Sequence, residues 1–356
     1  VLWLISACTA GIVVGVFLGP SLTNAYSVRR LTITAAWTLL VTLALFLSTR
    51  SFAIALGFRF LFGLAAGVIA SVMWWITYHG VSEKSYQAMV TVLMASRPVA
   101  IAIGVPLASL IAGKSSWHLP YWLFAVLIFG SALFLFPSLR FEEPEKKPFS
   151  WQLLWQDYAK TFRLPYAKSY YLGLTINRCC YFGFYSFAGI WFFRHYGLST
   201  ATIGSLLLLV GLGEALVNFF VPTMLKWFGH EKLFTGSLVA SGVLFAAFIS
   251  GRLPLPLALL LVTLFVILDR IYGMAMIIAI PQVFPASDNK SIFGSLTTLV
   301  AWIGLTAISW FLGRFTDSLG LPVMEWVLFG SFVVGSSVLY WVQARTVLRS
   351  SDLATN

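Results

Sequence analysis

The sequence predicts an all-α membrane protein, and three observations carry that prediction. Of 356 residues, 59% are hydrophobic and only 10% charged, and the mean hydropathy is +0.89, too apolar for a chain whose main solvent is water. Apolar runs close to bilayer length recur from end to end. They lack the strict alternation of barrel strands, so the spanning elements are helices. The basic residues fall in the breaks between runs and favour alternate breaks.

In chain order, spans are expected at roughly 1–18, 32–49, 53–78, 88–112, 119–137, 168–193, 202–225, 234–250, 254–280, 292–313 and 322–343, eleven in all. The first break reads GPSLTNAYSVRRL, residues 19–31, a Pro-Ser-Leu-Thr-Asn turn followed by two arginines. The breaks on its side of the membrane hold fourteen basic residues: Arg29, Arg30, Lys84, Arg140, Lys146, Lys147, Lys160, Arg163, Lys168, Lys226, Lys232, Lys290, Arg345 and Arg349. The other side holds five: Arg50, Lys114, Arg194, Arg252 and Arg314. The positive-inside rule places the richer side, with the tail 347–356, in the cytoplasm of a cell (inner) membrane and Val1 outside. Because the chain opens on Val, a further helix is expected before this numbering. The first run lacks a basic leader and ends in a basic loop, so no signal peptide is expected.

The formal net charge of +11 therefore reflects topology and contact with the lipid bilayer, and no nucleic-acid partner is expected. Cys8, Cys179 and Cys180 all lie in apolar runs and offer neither a disulfide framework nor metal spacing. No Gly-rich phosphate loop follows a strand, and no ATP-binding domain is expected. The expectation is of no enzyme, no metal and no cofactor.

The chain also repeats itself. Residues 222–233, PTMLKWFGHEKL, match the opening break at a constant offset, pairing Pro20 with Pro222, Arg30 with Lys232 and Leu31 with Leu233. Arg59 followed by Gly63 has an echo in Arg270 followed by Gly273. Two pseudo-symmetric helix bundles explain both. An N-terminal bundle at 1–137 and a C-terminal bundle at 168–346 are joined by a cytoplasmic linker at 138–167. The linker ends in an amphipathic helix with Trp151, Leu154, Trp155, Tyr158 and Phe162 on one face, suited to the inner leaflet.

On these residues the chain resembles the major facilitator superfamily, starting from that family's second helix, so that eleven spans are visible of an expected twelve. GPSLTNAYSVRRL resembles the family's loop motif G-x-L-x-D-R-x-G-R-R through Gly19, Leu22, Arg29 and Arg30, with Asn24 in place of the acid and Ser27 in place of a glycine. RFLFGLAAG, Arg59 to Gly67, is similar to the family's R-x-x-x-G-x-x-x-G helix. GVPLASLIAG, with Gly104, Pro106 and Ser109 and then Trp117, resembles the helix-5 motif of its drug and metabolite:proton antiporters. The resemblance implies a secondary transporter working as a monomer by alternating access, most readily in proton-coupled efflux of a small organic molecule. It also implies a conformational latch. Gly19, Asn24, Arg29, Arg30, Arg59, Gly104 and Pro106 are the implied gating residues, although Arg29 and Arg30 serve equally as plain topology signals.

Six charged residues sit inside the spans: Arg59, Arg97, Arg178, Glu214, Asp269 and Arg270. Each costs roughly 2.5–3.5 kcal/mol at the bilayer centre on insertion scales, so each is partnered or functional. Four arginines against two acids leave an excess positive charge that an acid before this numbering or an anionic substrate would balance. Asn177, Arg178, Tyr181 and Tyr185 recur at helical spacing and, with Arg97 and Arg270, are the candidate substrate-binding residues. Glu214 and Asp269 are the candidate proton-coupling residues. Trp74, Trp75 and Tyr78 cluster near one end of the 53–78 run, as cleft lining or interfacial anchors. The alternatives to efflux are an uptake symporter or exchanger of an anionic metabolite, and a non-transporting receptor or lipid-handling protein on the same fold.

Overall fold

The computed structural model describes residues 2–104, 107–108, 111, 115–135, 139, 146, 148–280 and 290–354. Twelve helices and no strand occur among the described residues: α1 (Leu2–Ala25), α2 (Val28–Ser48), α3 (Phe52–Trp75), α4 (Glu83–Val99), α5 (His118–Leu135), α6 (Trp151–Arg163), α7 (Ala167–Tyr196), α8 (Thr200–Phe228), α9 (His230–Phe248), α10 (Leu255–Ile278), α11 (Lys290–Leu319) and α12 (Leu321–Ala354). Each expected span overlaps a helix among the described residues, the 88–112 span only through Val99 of α4, and α6 lies in the expected linker. Among the described residues, eight helices are long and apolar enough to cross a membrane, while the apolar stretch of α5 is shorter. The chain is a multi-pass membrane protein. Large side chains such as Phe134, Trp227 and Trp310 stand well exposed on its helices, as a lipid-facing surface allows.

The opening break is shorter than the sequence suggests. Helix α1 runs through Pro20 to Ala25, so the Pro-Ser-Leu-Thr-Asn segment is the last turn of a helix rather than a loop. A proline inside a helix removes one backbone donor and frees the carbonyl four residues back, here that of Val16. Ser71 Oγ on α3 donates to that Val16 carbonyl at 3.2 Å, which removes most of the cost of continuing the helix. Helix α2 then starts at Ser27, whose hydroxyl accepts the Arg30 amide at 3.3 Å. Ser at the N-cap is a good choice there.

The helices pack as two compact units. The first comprises residues 1–86, 107–163 and 287–302, and the second 87–106, 164–286 and 303–356. Within the first unit, α1 and α3 meet along two stripes of small residues, Gly11, Gly15 and Gly19 against Gly63, Gly67 and Ser71. A Cβ at Gly67 would stand 2.8 Å from the Val16 amide nitrogen and 3.0 Å from the Gly15 Cα. Only bare backbone permits this approach, and in a bilayer such packing replaces the hydrophobic drive that lipid cannot supply.

Helix α6 docks on α1 through Leu154, Tyr158 and Thr161. The Tyr158 ring stacks on Phe17 at 4.9 Å, and its hydroxyl donates to the Phe17 carbonyl at 2.8 Å. Burial beside Asp157 pushes the Tyr158 phenol up from its ordinary value, which keeps it a proton donor. Trp151 and Trp155 remain exposed. The expected single aromatic face is thus divided, with Leu154 and Tyr158 buried against protein, Trp155 touching the Phe17 ring at 5.5 Å while largely exposed, and Trp151 exposed. Lys146, ahead of α6, donates to the Thr23 carbonyl at 3.1 Å, a cation at the C-terminal end of α1 where the helix dipole favours one.

The second unit is built around α7 and α10. Gly335 on α12 lets the Asn177 backbone of α7 come so close that a Cβ would stand 2.6 Å from the Asn177 Cα. Phe184, Trp191, Phe245, Phe248 and Phe265 form an edge-to-face aromatic core toward the α7 C-terminus.

The α1–α3 contact makes a direct prediction. Gly67→Val should destabilise the protein by about 1–3 kcal/mol through overpacking against backbone. Gly57→Val, on the same helix but with open space around its Cα, should leave thermal unfolding in detergent near wild type. Equal effects at both positions would refute the close-packing account.

Candidate functional site

The mid-span charges of the second unit come together as two ion pairs on three helices. Arg178, Glu214, Asp269 and Arg270 are 8%, 3%, 1% and 8% exposed, so none lies on a lipid-facing stripe. From α7, Arg178 Nη1 donates to Asp269 Oδ2 at 2.8 Å and Nη2 to Asp269 Oδ1 at 2.7 Å, a bidentate fork to α10. Its Nε and Nη2 also find other acceptors. Nε and Nη2 reach the Asn177 Oδ1 at 3.1 and 2.6 Å, and Nη2 reaches the Tyr272 hydroxyl at 2.7 Å. The Tyr272 hydroxyl donates to Asp269, and the Asn177 amide donates to Ser336 Oγ on α12 at 3.1 Å.

The second pair is built differently. On α8, Glu214 Oε1 accepts from Arg270 Nη2 and from the Tyr181 hydroxyl at 2.6 Å, while Oε2 accepts from the Tyr185 hydroxyl at 2.8 Å. Arg270 thus holds the carboxylate through one nitrogen, which also donates to the Tyr181 hydroxyl at 3.2 Å. Its Nε is buried with no hydrogen-bond partner among the described residues. Tyr185 is only half-buried, whereas Tyr181 is buried. The Tyr181 ring contacts both cations, 5.2 Å from the Arg178 guanidinium and 5.7 Å from that of Arg270, so its π-face is shared by the two pairs.

Neighbouring residues of α10, Asp269 and Arg270, therefore serve opposite pairs. The first is saturated and bidentate. The second leaves a guanidinium donor unused beside a carboxylate held by two phenols. Sequence reading missed Tyr272 and Asn218. Tyr272 sits one turn after Asp269, and Asn218 one turn after Glu214, where its amide donates to the Glu214 carbonyl at 2.6 Å. Helical spacing from each acid would have found both; no sequence signal marks Ser336.

The remaining candidates lie elsewhere. Arg59 on α3 stands over the rings of Phe46 and Phe62 at 5.2 and 5.7 Å, with its Nε buried and unpartnered among the described residues. Arg97 belongs to α4, but its side chain lies outside the described residues. Gly19 packs against Ser71, Asn24 is half-buried near the end of α1, and Arg29 and Arg30 are exposed in the first turn of α2. Gly104 falls in a π-helical turn after α4, while Pro106 and Ser109 lie outside the described residues. Two histidines near helix ends, His195 and His230, are partnered. His195 Nε2 meets Glu325 Oε1 at 2.6 Å, and His230 lies 3.1 Å from the Ala275 carbonyl and 2.9 Å from the Gln343 amide.

Paired charges kept deep in its spans mark the functional site of a multi-pass membrane protein. The sequence matches the Major Facilitator Superfamily over residues 1–302, and the chain belongs to that family, whose members are transporters rather than enzymes. It is similar to the uncharacterized MFS-type transporter YceJ of Bacillus subtilis (strain 168), 23% identical over 251 residues, covering 69% of this chain. The match spans 62% of that relative's length. Among solved structures, the human organic anion transporter MFSD10 superposes with a TM-score of 0.76 at 14% identity, covering 95% of this chain and 83% of that one. A structure of the Escherichia coli fucose:proton symporter FucP gives 0.74 at 14% identity over 96% and 90%. The proton:xylose symporter XylE gives 0.66 at 14% identity over 95% and 85%. At such identities these likenesses speak to the fold.

Removing one member of a saturated buried pair strands the other. Asp269→Asn should cost about 3–5 kcal/mol, read as a large loss of thermal stability in detergent. Glu214→Gln, which keeps the shape and the two phenols, should cost distinctly less. The reverse order would contradict the assignment of Arg178–Asp269 as the structural pair.

Proposed function

We propose that the chain is a secondary transporter that moves a small organic anion together with a proton, using Arg270 for the anion and Glu214 for the proton. The observation that carries this reading is the unused donor of Arg270 beside a carboxylate bound through a single nitrogen. A buried guanidinium donor without an acceptor is costly, and a carboxylate or similar acceptor on the substrate would satisfy it. An anion that takes Arg270 leaves Glu214 buried with only two phenols, and a buried carboxylate without its counter-charge takes up a proton. Arg270⁺ with Glu214⁻ becomes Arg270⁺ with the anion and neutral Glu214, so the net charge of the site, counted with its bound anion, stays zero. Tyr185, the half-buried phenol on Glu214, is the route by which that proton arrives. Asp269, saturated by Arg178 and Tyr272, stays a structural partner.

The sign of the coupling follows. Because anion and proton occupy the site together, coupling by this route is symport. Efflux by proton antiport, which the antiporter-like helix-5 motif favours, requires substrate and proton to exclude each other, as when a cationic or hydrogen-bond-donating substrate displaces Arg270 from Glu214. The organic-anion and proton-symporter neighbours are consistent with the first route. In either case the basic-residue asymmetry supports a cell (inner) membrane location with a cytoplasmic C-terminus, and the bundles at 1–137 and 168–346 supply the two halves of a monomeric alternating-access device.

In proteoliposomes loaded at neutral pH, an acid external pH should drive accumulation of an aromatic carboxylate such as benzoate by the wild type. Glu214→Gln should lose that drive but retain benzoate counterflow exchange. A Glu214→Gln variant still driven by the pH gradient sinks the coupling assignment, and wild-type accumulation driven only by an oppositely directed gradient establishes antiport.

A further inference from the structure

Within the first unit, a second polar contact lies apart from the charged site and joins helices from opposite halves of the sequence repeat. The buried indole of Trp74, near the end of α3, donates from Nε1 to Thr298 Oγ1 on α11 at 2.8 Å. Its ring rests on Gly294, where a Cβ would stand 2.6 Å from the indole Cε3. One turn back, Ser295 Oγ donates to Ser71 Oγ at 3.3 Å, while Ser71 Oγ donates to the Val16 carbonyl that Pro20 leaves free. Ser71 and Ser295 are 2% and 1% exposed. Helices α1, α3 and α11 are thus joined by adjoining rows, one of hydroxyls and one of an indole seated on a glycine.

The chemistry of this contact suits repeated making and breaking. It contains no ion pair among the described residues. Its hydrogen bonds are neutral, and hydroxyls and an indole released from it find partners in water or within their own helices. Thr298 already donates to the Gly294 carbonyl at 3.1 Å. Alternating access requires the two halves of the repeat to part at one end while meeting at the other. We propose that Trp74 seated on Gly294, with the Ser71–Ser295 row beside it, is the releasable seal at the end of the molecule that carries most of the basic residues, and that the structure holds it closed. Gly294 is the specific requirement, because any side chain there unseats the indole. Gly19 gains a role in the same device, since only a residue without a side chain lets Ser71 reach the Val16 carbonyl. The proposal rests on membership of the transporter family and not on the Glu214–Arg270 reading.

The test needs no substrate. Spin labels are placed at Tyr26→Cys, 50% exposed between α1 and α2, and at Phe228→Cys, 53% exposed at the end of α8, in a background lacking Cys8, Cys179 and Cys180. Their separation is measured by double electron–electron resonance in the purified full chain. Gly294→Ala should raise the longer-distance population several-fold, and Thr298→Val, which keeps the packing and removes the hydroxyl that accepts from Trp74 and donates within its own helix, should raise it less. Gly313→Ala on the same helix, where a Cβ meets open space, should leave it unchanged. If neither Gly294→Ala nor Thr298→Val moves the distribution, the contact is static packing and the proposal falls. Should Gly294→Ala fail to fold, Thr298→Val alone decides.

Discussion

A charge taken out of water must be neutralised where it sits, and the second unit is arranged around that requirement. An isolated arginine or carboxylate at membrane depth costs several kcal/mol even after relaxation. Two acids and two arginines therefore fix how α7, α8 and α10 face one another. Asp269 and Arg270 are adjacent on α10 and project in different directions, so that one helix serves both pairs. Asn177, Tyr181, Tyr185 and Tyr272 fill the remaining donor and acceptor positions. The network is nearly complete; the Nε of Arg270 is the donor left over.

That incompleteness distinguishes the two pairs by their geometry. Arg178–Asp269 has the bidentate geometry and full satisfaction that make a buried pair a fixture, and it ties α7 to α10 with α12 attached through Ser336. Glu214–Arg270 has one nitrogen on one oxygen and phenols that support the carboxylate whether or not the cation stays. The first unit shows a similar division in apolar terms. Backbone laid against backbone makes α1 and α3 inseparable, whereas the Trp74–Gly294 seat is held by neutral hydrogen bonds and shape. Backbone-to-backbone packing thus lies beside a contact made only of side-chain hydrogen bonds and shape.

Much of the fold was legible because the bilayer enforces length and continuity on every span. The eleven runs and the amphipathic helix are read from residue type alone, and the arginines and acids at depth announce themselves by their cost. What the sequence withheld depends on neighbours. Nothing in it says whether Arg178 pairs with Glu214 or with Asp269, since both lie at compatible depth and the choice turns on helix rotation. Pro20 reads as a turn because the hydroxyl that supplies the freed carbonyl with a partner stands at Ser71, on another helix. Trp74 and Trp75 read equally as interfacial anchors. The structure buries both and gives Trp74 a partner on α11. The linker's apolar residues read as one face suited to the inner leaflet, yet Leu154 and Tyr158 of that face are buried against protein.

The most direct measurement is the number of protons taken up when an organic anion binds. Isothermal titration of the detergent-solubilised protein with benzoate, repeated in buffers of different ionisation enthalpy, gives that number without transport. If Glu214 accepts a proton as the anion claims Arg270, the apparent binding enthalpy should vary with the buffer in the sense of proton uptake, and Glu214→Gln should bind with no such dependence. Anion binding to the wild type with no proton uptake, or with proton release, would contradict the account.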